Sequence, residues 1–170
     1  MVQGPAAANL LALSQIPVPG FTQIQGPSPT DLPGSRTSPI NRELASGASV
    51  TYFRSAGFTF SNGYLELVDS VWLLRSAGAA ATAFQSVVSQ ADVKNTTTLS
   101  TGPLGSLSWA GVRTAPTSAG IPAVQFTVVW ETDNCVNQLV ARGRDGGVTL
   151  AMVLPLAKAI SAKEVKHTKT

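Results

Sequence analysis

The 170-residue chain predicts an α+β fold, a single antiparallel sheet of about five or six strands with helices packed on it. Three observations carry that expectation. Residues 121–145 read as a hairpin, in which Val124, Phe126, Val128 and Trp130 point one way and Gln125, Thr127 and Glu131 the other. Asp133-Asn134 forms its turn, because both residues tolerate the left-handed backbone that a two-residue connection needs. Residues 64–75 carry bulk on both faces, Leu65, Leu67, Val71 and Leu73 against Tyr64, Val68, Trp72 and Leu74, as a central strand does. Helical spacing of apolar residues after Ser76 and again after Thr149 supplies the helices.

Taken in order, residues 6–14 form a short helical pattern with Leu10, Leu11 and Leu13, closed off by Pro17 and Pro19. Residues 17–39 hold six of the eleven prolines and read as an extended surface segment, with Phe21 and Ile24 pinning a short edge strand. A single helical turn over 39–44 precedes a strand over 49–60, bulged near Gly57 and ending on Phe58 and Phe60. Ser61-Asn62-Gly63 is the hairpin signal that leads into residues 64–75. Ser76 caps a helix in which Ala80, Phe84, Val87, Val88 and Ala91 recur on one face. Residues 92–103 are polar and loop-like; Asn95 heads a glycosylation-type triplet that matters only in a eukaryotic secretory chain. Another strand surrounds Leu107, Trp109 and Val112 and turns back through Ser118-Ala119-Gly120. Thr149 caps a last helix reaching about Val165, with Leu150, Val153, Leu154, Ala157 and Ile160 on one side and Pro155 near its start. The chain thus divides into an N-terminal short helix and Pro-rich segment (1–37), one α+β domain (38–162) and a basic tail (163–170).

Charged residues are only 12% of the chain and mean hydropathy is +0.17, which gives a quiet surface. The net charge of +3 owes much to Lys158, Lys163, Lys166 and Lys169 near the C-terminus, so a basic tail accounts for it and specific nucleic-acid binding is not expected. Cys135 is the only cysteine, which excludes an intramolecular disulfide and reads as a buried, inert thiol. No run approaches the roughly eighteen apolar residues of a membrane span. Residues 1–13 carry no basic side chain and do not read as a signal peptide, which leaves a cytoplasmic chain and a mature exported one both open.

Catalytic chemistry finds few carriers. His167 is the only histidine and sits in the tail, so neither a Ser/His/Asp triad nor a zinc shell is expected, and no metal or cofactor is called for. Glu66 and Asp69 lie on opposite faces of one strand, and Glu131 and Asp133 flank a turn, so a glycosidase-like pair requires tertiary contact. Gly143 to Gly147 lacks the P-loop lysine and reads as a strand-to-helix turn. Trp72, Trp109 and Trp130 fall on three strands; with Tyr64 and Phe84 they line either a cleft for an apolar or aromatic ligand or the core.

The "PVPGF" opening at Pro17 to Phe21, Arg75-Ser76 followed by AGAAATAFQSVV, and VVWETDNCVNQLVARG followed by VTLAMVLPLAKAIS resemble a large group of exported bacterial lipoproteins, mostly actinobacterial, of unknown activity. The resemblance covers residues 18–162; Trp130 and Asn134 match the group's hairpin pattern, Glu131 and Asp133 depart from it, and the lipobox cysteine is absent. It implies an architecture similar to the extracellular sensor domain of actinobacterial serine/threonine kinases and to photosystem-extrinsic-type lipoproteins, and it brings no catalytic residues. The expectation is a non-enzymatic exported or envelope-associated domain binding a small apolar ligand or a protein partner, with Tyr64, Trp72, Trp109 and Trp130 as ligand-contacting residues. Two alternatives stand beside it: a structural or assembly subunit, and a small hydrolase or isomerase on a cone-shaped α+β fold.

Overall fold

The structure, a computed structural model, describes residues 1–2, 4–34, 37–55 and 63–167, with side chains to residue 164. Its described strands are β1 (Phe21–Pro29), β2 (Leu44–Arg54), β3 (Tyr64–Leu74), β4 (Thr97–Leu99), β5 (Leu107–Thr114), β6 (Val124–Thr132) and β7 (Cys135–Gly143). All pairings are antiparallel, in the order β1-β2-β3-β7-β6-β5-β4. Two meanders, β1 to β3 and β4 to β7, thus meet where the first and last central strands pair, Val71 opposite Asn137 and Asp69 opposite Leu139.

The sheet has seven strands, not the five or six expected. The additional one is β4, whose three residues pair Thr97–Leu99 with Val112, Gly111 and Ala110 inside a stretch read as loop. A three-residue edge strand, Thr-Thr-Leu, is too short to show alternation. At the other edge β1 is longer than foreseen, nine residues through the proline-rich stretch, which an edge tolerates because its outer amides need no partner. The expected continuation of β2 through Phe58 and Phe60, and the Ser61-Asn62 turn, lie outside the described residues.

One helix covers each face. Between the two meanders runs α2 (Ala77–Ala91), which follows the short α1 (Pro39–Arg42). Ser76 caps it, the hydroxyl oxygen accepting from the Ala79 amide at 3.1 Å. Its small face, Ala80, Ala83, Phe84 and Val87, packs on Trp72, Leu74, Val129 and Val136. On the opposite face α3 (Leu150–His167) brings Val153, Leu156, Ala157 and Ile160 onto Val71, Val128, Trp130 and Leu139. The helix runs to His167, two residues beyond the end expected near Val165, and Glu164 within it is buried.

The N-terminal stretch belongs to the same core. Its helical pattern resolves into two 3-10 turns, Ala6–Asn9 and Leu13–Gln15, with Leu10 and Leu11 buried between them. Val2, Ala6, Leu10 and Leu11 pack on the α3 face of the sheet. The β6–β7 turn holds its start: Asp133 adopts a positive φ of 57°, Asn134 accepts from the Val2 amide at 2.6 Å and donates to the Leu74 carbonyl at 2.9 Å.

Candidate functional site

The four aromatic residues singled out from the sequence are divided between the two faces. Trp130 (0% exposed) and Tyr64 (1%) lie on the α3 side, where the Tyr64 hydroxyl donates to the Met152 carbonyl. Trp72 (2%) and the half-buried Trp109 lie on the α2 side. Plain alternation puts Tyr64 with Trp72; a register shift between Tyr64 and Glu66 moves it to the other face.

Beside Trp72 the molecule opens where β1 parts from β2. A recess of about 420 Å³ is lined by Pro29, Thr30, Asp31, Leu44, Ser46 and Gly47. The Trp72 indole Nε1 donates to the Asp31 carbonyl at 3.0 Å, which holds the ring at this edge. Gly47, the register partner of Trp72, makes the approach possible: a Cβ there would meet the Thr30 carbonyl oxygen and lie 2.9 Å from Trp72 Cδ1. Across Ser46 and Gly47 lies a second recess of about 270 Å³, lined chiefly by Pro5, Ala6, Ala7, Pro27, Pro29 and Ala48. The Ala6 amide donates to Ser46 Oγ at 3.3 Å, joining the N-terminal wall to the sheet. Sequence reasoning missed this place. Its proline-rich lining resembles any surface segment, and Gly47 signals only through its contacts.

Two buried polar clusters flank the sheet. On the α2 side Glu66, fully buried, forms an ion pair with Arg142 and accepts from the Ser118 amide and hydroxyl. Arg142 Nε also donates to Gln125 Oε1 at 2.9 Å, and Gln125 Nε2 to Thr127 Oγ1 at 3.0 Å. These bonds satisfy the carboxylate and pin the β5–β6 loop. On the α3 side Asp69 and Glu164 are both fully buried. Burial pushes Asp69 up to about 7; the Leu11 amide, donating to Oδ2 at 2.6 Å, and Lys163 oppose the rise, while Glu164 adds to it. Burial likewise pushes Glu164 up to about 7 against donors on Cys135 and Asn137. Thr132 and Trp130 approach the same carboxyl, although Thr132 Oγ1 and Trp130 Nε1 close no hydrogen bond of full geometry.

The chemistry available to these groups is narrow. Cys135 Sγ lies 3.4 Å from Glu164 Oε1, yet burial and that carboxyl raise the thiol well above its ordinary range, so it is a poor nucleophile and no substrate reaches it. Glu66 and Asp69 stand on opposite faces and cannot flank one bond. Among the described residues no three His, Cys, Asp or Glu side chains gather as a metal would require. Nor, among them, is any helix long and apolar enough to cross a membrane.

No protein-family model matches the chain, and no curated protein matches it. Among solved structures it is similar to the extracellular domain of PknH from Mycobacterium tuberculosis, with a TM-score of 0.63 and 12% identity over 95% of each chain. At that identity the likeness is one of fold: this chain has an α+β architecture with one antiparallel sheet that a mycobacterial extracellular domain also adopts.

Proposed function

We propose that the chain is a non-enzymatic, extracytoplasmic binding domain that seats a small apolar ligand in the paired recesses beside Trp72. The observation that carries this reading is the opening at Gly47, which lines both a Pro- and Ala-rich recess and a more polar one and has the Trp72 indole packed behind it. Trp72, buried behind Gly47, is the nearest fluorescent reporter, and Trp109, on the same face, is the second. Tyr64 and Trp130 lie on the α3 face, opposite Trp72, and support the recesses by holding α3 on the sheet. The fold shared with an extracellular domain supports the compartment. Titration with fatty acids, lipids and small aromatics, followed by tryptophan emission, tests the proposal. A saturable change that Gly47→Ala abolishes is the expected result; unchanged emission across the panel removes the apolar ligand.

A protein partner is the second reading, favoured by the outer edge of β1, where Ile24 is 55% exposed. Light scattering after size exclusion distinguishes a monomer with a free edge from the higher oligomer that an assembly subunit requires.

A further inference from the structure

Residues 4–16 cross the α3 face of the sheet as a strap, and side chains from three elements fasten it at one point. Tyr52 of β2 donates its hydroxyl to the Leu11 carbonyl at 2.7 Å, the Leu11 amide donates to Asp69 Oδ2 of β3 at 2.6 Å, and Lys163 Nζ of α3 donates to the Leu10 carbonyl at 2.8 Å. The same strap supplies Pro5, Ala6 and Ala7, one wall of the apolar recess. Directly after Lys163 comes Glu164, buried against Cys135 of β7. Asp69 Oδ1 has no hydrogen-bond partner among the described residues.

We propose that Asp69 and Glu164 form a proton-operated latch on this strap. With a proton kept on one carboxyl, α3 and the strap stay seated. With both ionised, Glu164 turns out to solvent with the end of α3, Lys163 leaves Leu10, and the Pro5 to Ala7 wall of the recess loosens. The consequence for binding rests on the reading of that recess as the ligand site; the latch itself does not.

Charge accounting sets the direction. Asp69 is faced by Tyr52 from β2, Cys135 from β7, and Lys163 and Glu164 from α3; the strap offers only backbone. Glu164 is faced by Cys135 and Asn137 of β7, Thr132 and Trp130 of β6, and Asp69. Among the described residues Lys163 is therefore the one cation acting on the pair, since the Met1 ammonium near the β6–β7 turn is engaged with Asp133 at 2.7 Å. One anion beside one ammonium is tolerable in a dry site, and a second anion is not. Relief comes from the element that moves at least cost. Asp69 is held mid-strand between β2 and β7, whereas Glu164 lies one turn from the end of a helix, where local opening costs little. Burial pushes both carboxyls up to about 7, which puts the change in the neutral range.

Hydrogen exchange on the full chain, with rates corrected for intrinsic chemistry, tests this at about pH 5 and about pH 8. The expected result is protection of Leu10, Leu11 and residues 160–164 that falls about tenfold or more at the higher pH. Asp69→Asn and Glu164→Gln, which cannot ionise, should each keep that protection at both values. Equal protection of the unmodified chain at both, or a pH dependence that survives both substitutions, overturns the latch. Should either variant fail to fold, carboxyl carbon NMR of the unmodified chain decides, and two carboxyls titrating below about pH 5 overturn it. Fluorescence titration with the same apolar panel at both values separates the readings: no ligand at either, with exchange still pH-dependent, removes the recess as a binding site and leaves the latch.

Discussion

Lys163 Nζ donates to the carbonyl of Leu10 at 2.8 Å, joining two residues 153 positions apart in the chain. The contact ties the last described helix to the strap of residues 4–16 over a shared core.

Truncation after Ala162 should therefore lower stability. The deletion removes a charged hydrogen bond, worth about 2 kcal/mol, and opens the seat of Glu164 beside Cys135. A fall in Tm of about 4 °C or more is expected in thermal scans. A shift within about 2 °C would instead return residues 163–170 to the role of a dispensable tail.

Trp130 is the largest fully buried side chain, packed between β6 and α3. Trp130→Ala should cost about 3–5 kcal/mol in urea unfolding. A loss below about 1 kcal/mol would show a site that collapses around the cavity.

Arg142 neutralises Glu66, which is fully buried, while Arg142 itself is 20% exposed. Removing the guanidinium leaves a carboxylate with only Ser118 to satisfy it, so Arg142→Ala should destabilise by about 3 kcal/mol. The double change with Glu66→Gln should recover part of the loss; the coupling from a double-mutant cycle is the measurement.

Stability should fall as pH rises from about 4 through about 7. Asp69 and Glu164 have folded-state values pushed up to about 7, above the ordinary carboxylate range, so the folded chain binds more protons than the unfolded one in that window. Their contribution is fully present below the ordinary range and is lost as pH passes the folded value. Unfolding free energies from urea titrations at about pH 5 and pH 8 should differ by a few kcal/mol, and Asp69→Asn should flatten the difference. A midpoint unchanged by that substitution would assign the slope to other groups.

Gly47→Ala places a methyl against the Thr30 carbonyl and Trp72 Cδ1. The expected cost is about 1–3 kcal/mol, accompanied by a shift in tryptophan emission as the ring leaves the Asp31 carbonyl. An unshifted spectrum with full stability would mean that the β1–β2 junction yields instead.

By itself the sequence determined the elements whose signals are local. The period-two pattern from Val124 to Trp130, the Asp133-Asn134 turn and the Ser76 cap each involve residues within a few positions of one another, and the structure forms all three. The burial of Cys135 was legible as well, from a lone thiol at the start of an apolar strand. Tertiary structure alone decided the rest. β4 is visible only as the partner of β5, because three residues, Thr-Thr-Leu, are too few to show a period. Tyr64 changed faces through a single register shift, which alternation cannot announce. The Gly47 recess, the seat of Asp69 beneath Leu11 and the burial of Glu164 in a lysine-rich stretch arise between segments remote in sequence. The physical reason is common to them: desolvation and close approach depend on what the fold brings over a residue, and a carboxylate is written with the same letter whether water or a helix covers it.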